Sequence, residues 1–358
     1  MEKSLAVATC GRGKFKTSAQ RRTSRKDKII PIPGLLRGKG ADITHIEKMH
    51  RWAEEKLINQ IIILSLVDAA KSKGEWKRMQ QYWNTYHCLR EVITADGRLY
   101  GSQCKNRACS ICCGIRKAKK ITNYLPHLKT WKDPFTLVLS LTSPKAEELK
   151  RTIDEMYLLL ERIIDKYRKR ASRGKGFRLM GIRSLECTYN PKDDTYHPHF
   201  HFVLPNKQIA LALQSEWMKE GRKLWGAKSI SQAGQYCKRA KGGDVEKAMV
   251  EAIKYSTKIF TEIDPAQKRK GRKGQRKIYI DAYDNIIAAL SARRIFDRFG
   301  FNLPKQNPEP KQLKFAKHQK KWKFSAEHAD WLEEESELTL TNYTPPPELT
   351  VLLNEQIV

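Results

Sequence analysis

The stretch Tyr196–Leu204, YHPHFHFVL, alternates with a period of two. As a strand it sets His197, His199 and His201 on one face and turns Phe200 and Phe202 toward a core. Imidazoles two residues apart, with an apolar residue between them, can both reach one metal ion. Immediately upstream, GIRSLECTYNPKDD (Gly181–Asp194) reads as a second strand and a turn, so the two strands form a hairpin. Glu186 can then face the histidines across it. A carboxylate joining two histidines is an ordinary ligand set for a hard divalent ion such as Mg²⁺ or Mn²⁺. The plainer alternative is a half-buried strand whose histidines merely meet solvent.

Charge is the strongest global signal. Among 358 residues, Lys+Arg number 69 and Asp+Glu 39, a net charge of +30. Such a field favours a polyanion, and nucleic acid is the commonest soluble one. The charge is unevenly placed: no Lys or Arg follows Lys323, and the acidic residues beyond it make that end −8, leaving +38 for the remainder. Residues 1–40 are basic and rich in Gly, Ser and Pro, which reads as a disordered arm able to lie along phosphates. Residues 304–358, with PEPK, PPP and the acidic end, read as linker and tail. The longest apolar run, Ile61–Val67, is too short to span a bilayer. The expectation is a cytoplasmic protein with no membrane partner.

Four of the eight cysteines crowd between Cys104 and Cys113. Cys104, Cys109 and Cys112 are spaced C-x4-C-x2-C, and Cys88 lies upstream of an Ala95-Asp96-Gly97 turn suited to a hairpin. Four thiolates on two loops fit a closed, structural Zn²⁺ site. His87 and Cys113 stand as rival ligands. Around the site, Arg107, Arg116, Lys117, Lys119 and Lys120 offer contacts to DNA backbone.

The remaining elements follow from periodicity. A helix begins near residue 44, FTLVLSLTSP (Phe135–Pro144) reads as a buried strand, and a long helix carries Leu149, Ile153, Met156, Leu160, Ile163 and Tyr167 in register. Residues 207–225 form an amphipathic helix. Within it GRKLWGAKS has the glycine spacing of a phosphate-binding loop, but Ala227 stands where the lysine belongs. In DVEKAMVEAIKYSTKIF, Glu251, Tyr255 and Lys258 share one helix face. Taken alone, such a face is most often solvated. QKRKGRKGQRK (Gln267–Lys277) is a basic loop, and IYIDAY followed by NIIAALSARRIFDRFG reads as a strand and a helix.

FTLVLSLTSP, HPHFHF and EAIKYSTK, in that order, resemble the replication initiators of bacterial rolling-circle plasmids. These are members of the HUH (histidine–hydrophobic–histidine) endonucleases, in the branch whose third motif is E-x3-Y-x2-K. CKNRACSICCGIRK is similar to that branch's cysteine segment, although Ser110 stands where proline is common. The resemblance covers roughly residues 45–303. It implies an α+β fold: an antiparallel sheet with helices packed on it, metal histidines on a central strand, and a small N-terminal cysteine (zinc) module. The organisation expected is a basic arm over 1–40, a helix and zinc module over 41–130, an endonuclease domain over 131–303, and the linker and tail.

The resemblance also implies chemistry. Tyr255 attacks a phosphodiester in single-stranded or extruded origin DNA, leaving a 5′-phosphotyrosine and a 3′-OH primer. The partners implied are origin DNA, double-stranded and extruded single-stranded, and the host helicase and polymerase. His199, His201 and Glu186 hold Mg²⁺ or Mn²⁺, Lys258 assists the phenol or holds the phosphate, and Glu251 serves hydrolytic termination. Cys88, Cys104, Cys109 and Cys112 hold Zn²⁺. Two alternatives stay open: a single-tyrosine HUH transposase, and a non-catalytic zinc-ribbon DNA-binding regulator.

Overall fold

The computed structural model describes residues 30–31, 43–95, 98–254, 277–304, 319–336, 338–347 and 349–358. It is an α+β structure with two five-stranded sheets, antiparallel throughout. Most of the basic arm lies outside the described residues, apart from a short strand β1 (Ile30–Pro31). So do Tyr255, Lys258 and nearly all of the basic loop.

The histidine strand is central to the second sheet. Strands β4 (Phe135–Ser140), β5 (Gly181–Asn190), β6 (Thr195–Leu204), β7 (Tyr236–Arg239) and β8 (Phe296–Phe299) are ordered β7-β4-β6-β5-β8. Alternation gives this sheet two faces. One carries Leu137, Leu139, Leu185, Phe200 and Phe202 into the main core. Helices α4 (Ala146–Ser172) and α5 (Lys207–Trp225) cover it. In α4 the buried Leu149, Ile153, Met156, Leu160 and Ile163 recur at helical spacing, with Glu147 and Glu148 in the first turn and Lys169 and Arg170 in the last. That polarity complements the helix dipole. Helix α5 starts on an Asn206 cap whose side chain accepts from the Ile209 N–H, and it stops at Gly226, φ +87°. The glycine of GRKLWGAKS is therefore a helix terminator.

The opposite face is only partly covered. Met249 and Ile253 of α6 (Val245–Lys254) and Leu128 at the end of α3 (Ser110–Leu128) pack on Ile182 and Val203. The histidine end of β6 lies on this same face.

Two expectations near the C-terminal end require correction. IYIDAY is not a strand: Ile280–Ala289 is a helix, α7, whose Ile280, Tyr283 and Ile287 meet Ile62, Ile63 and Leu66 of helix α1 (Ile43–Ser72). Spacings of three and four, satisfied by a tertiary partner, prevail over the β propensity of Ile and Tyr. Conversely, part of ARRIFDRFG is strand β8, ended by Gly300 at φ +79°, where a Cβ would run into the Leu179 carbonyl.

The larger difference concerns residues 304–358. Strands β9 (Lys320–Ser325) and β10 (Asp330–Glu333) belong to the first sheet, ordered β1-β3-β2-β9-β10. β9 pairs with β2 (Glu91–Ala95), itself in a hairpin with β3 (Arg98–Gly101). The end of the chain is thus structural, and its acidic composition obscures an aromatic core. Trp322, Phe324 and Trp331 are buried with Leu89, Val92 and Leu99, and Trp331 Nε1 donates to the Leu89 carbonyl at 2.8 Å. Asp330 is fully buried and accepts backbone N–H groups of Thr341 and Tyr343, organising the turn beyond β10. The last helix, α8 (Leu349–Gln356), is followed by Ile357, which bridges to Ile278. Among the described residues no helix is long and apolar enough to cross a membrane.

The two sheets are joined through α1, α2 (Trp76–Tyr86) and α7. Asp284, wholly buried on α7, accepts from Arg78 Nε at 2.7 Å, Lys73 Nζ at 3.1 Å and Tyr82 Oη at 2.8 Å. The Arg107 guanidinium, read from sequence as a DNA contact, instead donates to the carbonyls of Leu290 and Arg293.

Burial pushes the Asp284 carboxyl upward, but the donors Arg78, Tyr82 and Lys73 outweigh it and hold the pKa below the usual aspartate value. The stabilisation is therefore complete above the ordinary aspartate range, near about 4, and fades as pH falls below it. Asp284→Ala removes the acceptor shared by Arg78, Lys73 and the buried Tyr82 hydroxyl, while Lys73 keeps Asp281 and Arg78 keeps Glu75. Denaturant unfolding should show a loss of about 1–3 kcal/mol at neutral pH, chiefly from the unpaired Tyr82 hydroxyl, and a smaller difference from the parent in acid.

Candidate functional site

The β5–β6 register places Glu186 opposite His199, and Ser184 opposite His201. Glu186 Oε2 lies 3.1 Å from His199 Nε2 and 3.0 Å from His201 Nε2. Ligands at right angles on an ion with bonds of about 2.1 Å lie about 3.0 Å apart, so this donor set fits a small octahedral cation. Glu186 is 3% exposed and His199 7%. Burial raises the Glu186 pKa, and the two imidazoles reverse this, leaving the carboxyl below its ordinary value. His201 is lowered by burial, with Glu186 and Glu251 of α6 opposing.

The backbone fixes the tautomer of His199. Its Nδ1 donates to the His197 carbonyl at 2.9 Å, which leaves Nε2 as the ligating atom. His197 shares the strand face, with its ring 4.9 Å from that of His199 and its Nδ1 within 3.2 Å of the Ser143 hydroxyl. It stands outside the cluster formed by Glu186, His199 and His201. Burial and the His199 charge push it down to about 4.

Glu251 is exposed on α6, and its charge acts on His201. The helix approaches the sheet because Met249, Ala252 and Ile253 are apolar at helical spacing and bury against Val203 and Ile182. Tyr255 and Lys258 follow α6 and lie outside the described residues.

The cysteines form the second cluster. Cys88, Cys104, Cys109 and Cys112 bring their sulfurs within 4.8 Å of one another. Cys88 Sγ lies 3.5 Å and Cys104 Sγ 3.8 Å from Cys112 Sγ. A zinc tetrahedron with bonds of about 2.3 Å has edges of about 3.8 Å, so the thiols fit this ion. Backbone N–H groups of Cys104, Asn106 and Cys112 donate to Cys88, Cys104 and Cys109 sulfurs, which favours thiolates. Hydrogen bonds within the cluster hold the Cys112 and Cys104 thiols below their usual range and Cys88 and Cys109 above it, so the four sulfurs share their protons unequally. Neither rival ligand enters the cluster. Cys113 Sγ donates to the Arg107 carbonyl at 3.2 Å and accepts from Arg116, while the His87 ring stacks on Trp83. Arg116 also donates to the carbonyls of Lys105 and Asn106, so it braces the cysteine loop.

One residue beside the thiols was not legible in advance. Lys56 is 1% exposed, and its Nζ donates to the Tyr86 carbonyl at 2.8 Å and to the Cys88 carbonyl. Burial lowers its pKa, and the charges of Cys88, Cys109, Cys104 and Cys112 resist this. The available signal was a lysine on the apolar stripe of α1, between Ala53 and Leu57.

Among the described residues these are the two groups of three or more metal-type ligands. A protein-family profile described as "Replication protein" matches residues 98–337, well over half of the chain. The chain belongs to that family of replication proteins.

A Staphylococcus aureus protein named "Protein rep" is 31% identical over 175 residues, covering 45% of this chain and 72% of the relative. A "Protein rep" of Bacillus amyloliquefaciens is 31% identical over 142 residues, covering 38% of this chain and 40% of the relative. One from Streptococcus pneumoniae is 29% identical over 168 residues, with 44% and 49% covered. The chain thus spans most of the first relative and half or less of the other two. No solved structure matches it. The profile begins at β3 and extends past β10, so the similarity includes the strands read from sequence as a tail.

Lys56→Met keeps the volume of the replication protein's buried lysine but removes its donors to the Cys88 carbonyl and to the Tyr86 carbonyl, which keeps only the longer contact from Gln60 Nε2 at 3.4 Å. We expect a loss of about 2 kcal/mol or more in denaturant unfolding.

Proposed function

We propose that this replication protein initiates plasmid rolling-circle replication by nicking origin DNA through an HUH-type, metal-dependent strand transfer. The observation that carries the reading is the convergence of His199 Nε2 and His201 Nε2 on one Glu186 carboxylate oxygen. It lies beside α6, whose Met249 and Ile253 pack on the same sheet face. A zinc-ribbon regulator accounts for the charge and the cysteines but leaves that convergence unexplained.

Glu186, His199 and His201 are the residues to hold Mg²⁺ or Mn²⁺. When bound, such an ion polarises the scissile phosphate and stabilises the charge that develops there. The Tyr255 oxygen then forms a bond to phosphorus, the bond from phosphorus to the 3′ oxygen breaks, and that oxygen leaves as the 3′-OH primer. A phenol near pKa 10 is a weak nucleophile at neutral pH, and the role of Lys258 in this reading is to favour the phenolate or hold the phosphate. Glu251 precedes Tyr255 by four residues in the sequence and, as general base toward water, hydrolyses a later phosphotyrosine bond and ends the round. The cysteine set holds Zn²⁺ as a structural site. The primer end is the substrate offered to a host polymerase, with a helicase opening the duplex ahead of it.

The test is incubation of the protein with Mg²⁺ or Mn²⁺ and a supercoiled plasmid carrying its own origin. The parent should give a nick and a covalent protein–DNA band. Tyr255→Phe should lose both, and His199→Ala and His201→Ala should lose nicking while keeping duplex binding, which rests on the basic surface. Glu251→Ala should still nick and form the adduct, yet release strands longer than unit length. Full nicking by a double His199→Ala, His201→Ala variant overturns the metal assignment.

The cysteine centre has its own readout. Elemental analysis should find zinc in the parent. Cys104→Ser, Cys109→Ser or Cys112→Ser should lose that zinc and lower the unfolding midpoint, because the energy of a structural site is folding energy.

A further inference from the structure

Tyr236, Val138, His201 and Ser184 form one row across strands β7, β4, β6 and β5. Residues in one row share a face, so Tyr236 stands on the metal-ligand face, two strand spacings or about 10 Å from His201. It is 46% exposed. Lys238 shares that face, with Nζ 4.9 Å from the centre of the Tyr236 ring. Between them Cys237 points the other way and packs on the main core. That alternation fixes which face the tyrosine occupies.

The residue before it is pinned. Gln235 is buried, its Nε2 donates to the carbonyls of Ser140 and Ser231 at 3.2 and 3.1 Å, and its Oε1 accepts from the Ser140 N–H at 3.0 Å. Ser140 Oγ in turn donates to the Gly234 carbonyl at 2.7 Å. Ser140 is also the cross-strand partner of His199. The clamp therefore ties the presentation of Tyr236 to the histidine strand itself. No step of the proposed chemistry uses this edge.

We propose that Tyr236 is a stacking platform for a base of the single-stranded DNA lying across this face, with Lys238 on the adjoining phosphate. The inference rests on the initiator reading and names where its substrate strand runs. An exposed aromatic face paired with a cation is the chemistry of a single strand, since every unstacked base offers a π-face and every link a phosphate. A duplex offers no such base face at its surface. Exposure also means that removing the ring costs the fold little.

The experiment uses the full chain, a labelled single-stranded oligonucleotide covering the origin nick site, and a chelator to prevent cleavage. The parent should bind; Tyr236→Ala should weaken this about tenfold, and Tyr236→Phe should keep the parent affinity because the ring, not the hydroxyl, carries it. Affinity for duplex origin DNA should be unchanged in both. Lys238→Ala should reduce the slope of log affinity against log salt by about 0.7, whereas Tyr236→Ala should leave that slope alone. If Tyr236→Ala binds the single strand as tightly as a parent that binds and nicks, the platform is refuted and the initiator reading stands. If Tyr236→Phe is as weak as Tyr236→Ala, the hydroxyl is the contact and the stacking role fails. A parent that neither binds nor nicks single-stranded origin DNA overturns both readings together.

Discussion

The pairing of Glu186 with His199 across the β5–β6 hairpin is the constraint on which the Glu186–His199–His201 cluster depends. A slip of one residue would turn every side chain of β6 to the opposite face. His199 and His201 would enter the core, and Phe200 and Phe202 would meet solvent. The register is enforced from the other side of the sheet, where Phe200 packs edge-on against Tyr157 and Trp217. The polar cluster is thus positioned by the apolar residues that alternate with it, and site and core are specified by the same strand.

That coupling explains why this part of the molecule was legible. In YHPHFHFVL one alternation encodes both the ligand face and the core face, and Glu186 follows from the hairpin. The four cysteines were legible for a similar reason, since local spacing brings three of them together and a short hairpin brings the fourth. What failed was long-range. IYIDAY has strand propensity, yet α7 forms because α1 supplies an apolar partner. Arg107 and Arg116 looked like phosphate contacts by charge alone, but each serves carbonyls of its own chain. Lys56 is buried on α1 because the Tyr86 and Cys88 carbonyls, distant in sequence, accept from it.

The acidic end shows most clearly how composition can mislead. Eight acidic residues without a balancing cation beyond Lys323 suggested a solvated tail, while Phe324 and Trp331 within that stretch, and Trp322 just before it, fill the first sheet. Asp330, counted among those charges, is a buried acceptor for backbone N–H groups and contributes to folding. Net charge describes partners and solubility. It does not describe which segments pack.

The pairing of β9 with β2 also has a consequence for how the protein is made. Leu89 and Trp331, joined by a hydrogen bond, are 242 residues apart. Chains emerge from the ribosome at roughly 5–20 residues per second and tend to fold from the N-terminal side. The cysteine hairpin therefore waits on the order of ten seconds or more with Leu89 and Val92 uncovered, while the histidine sheet is synthesised and can fold in between. Its covering aromatic strands arrive last, so the first sheet is completed only after the histidine sheet has emerged. Interrupted translation would yield a chain carrying the histidine sheet beside an unfinished cysteine module, and the exposed edge of β2 would be open to pairing with another nascent copy.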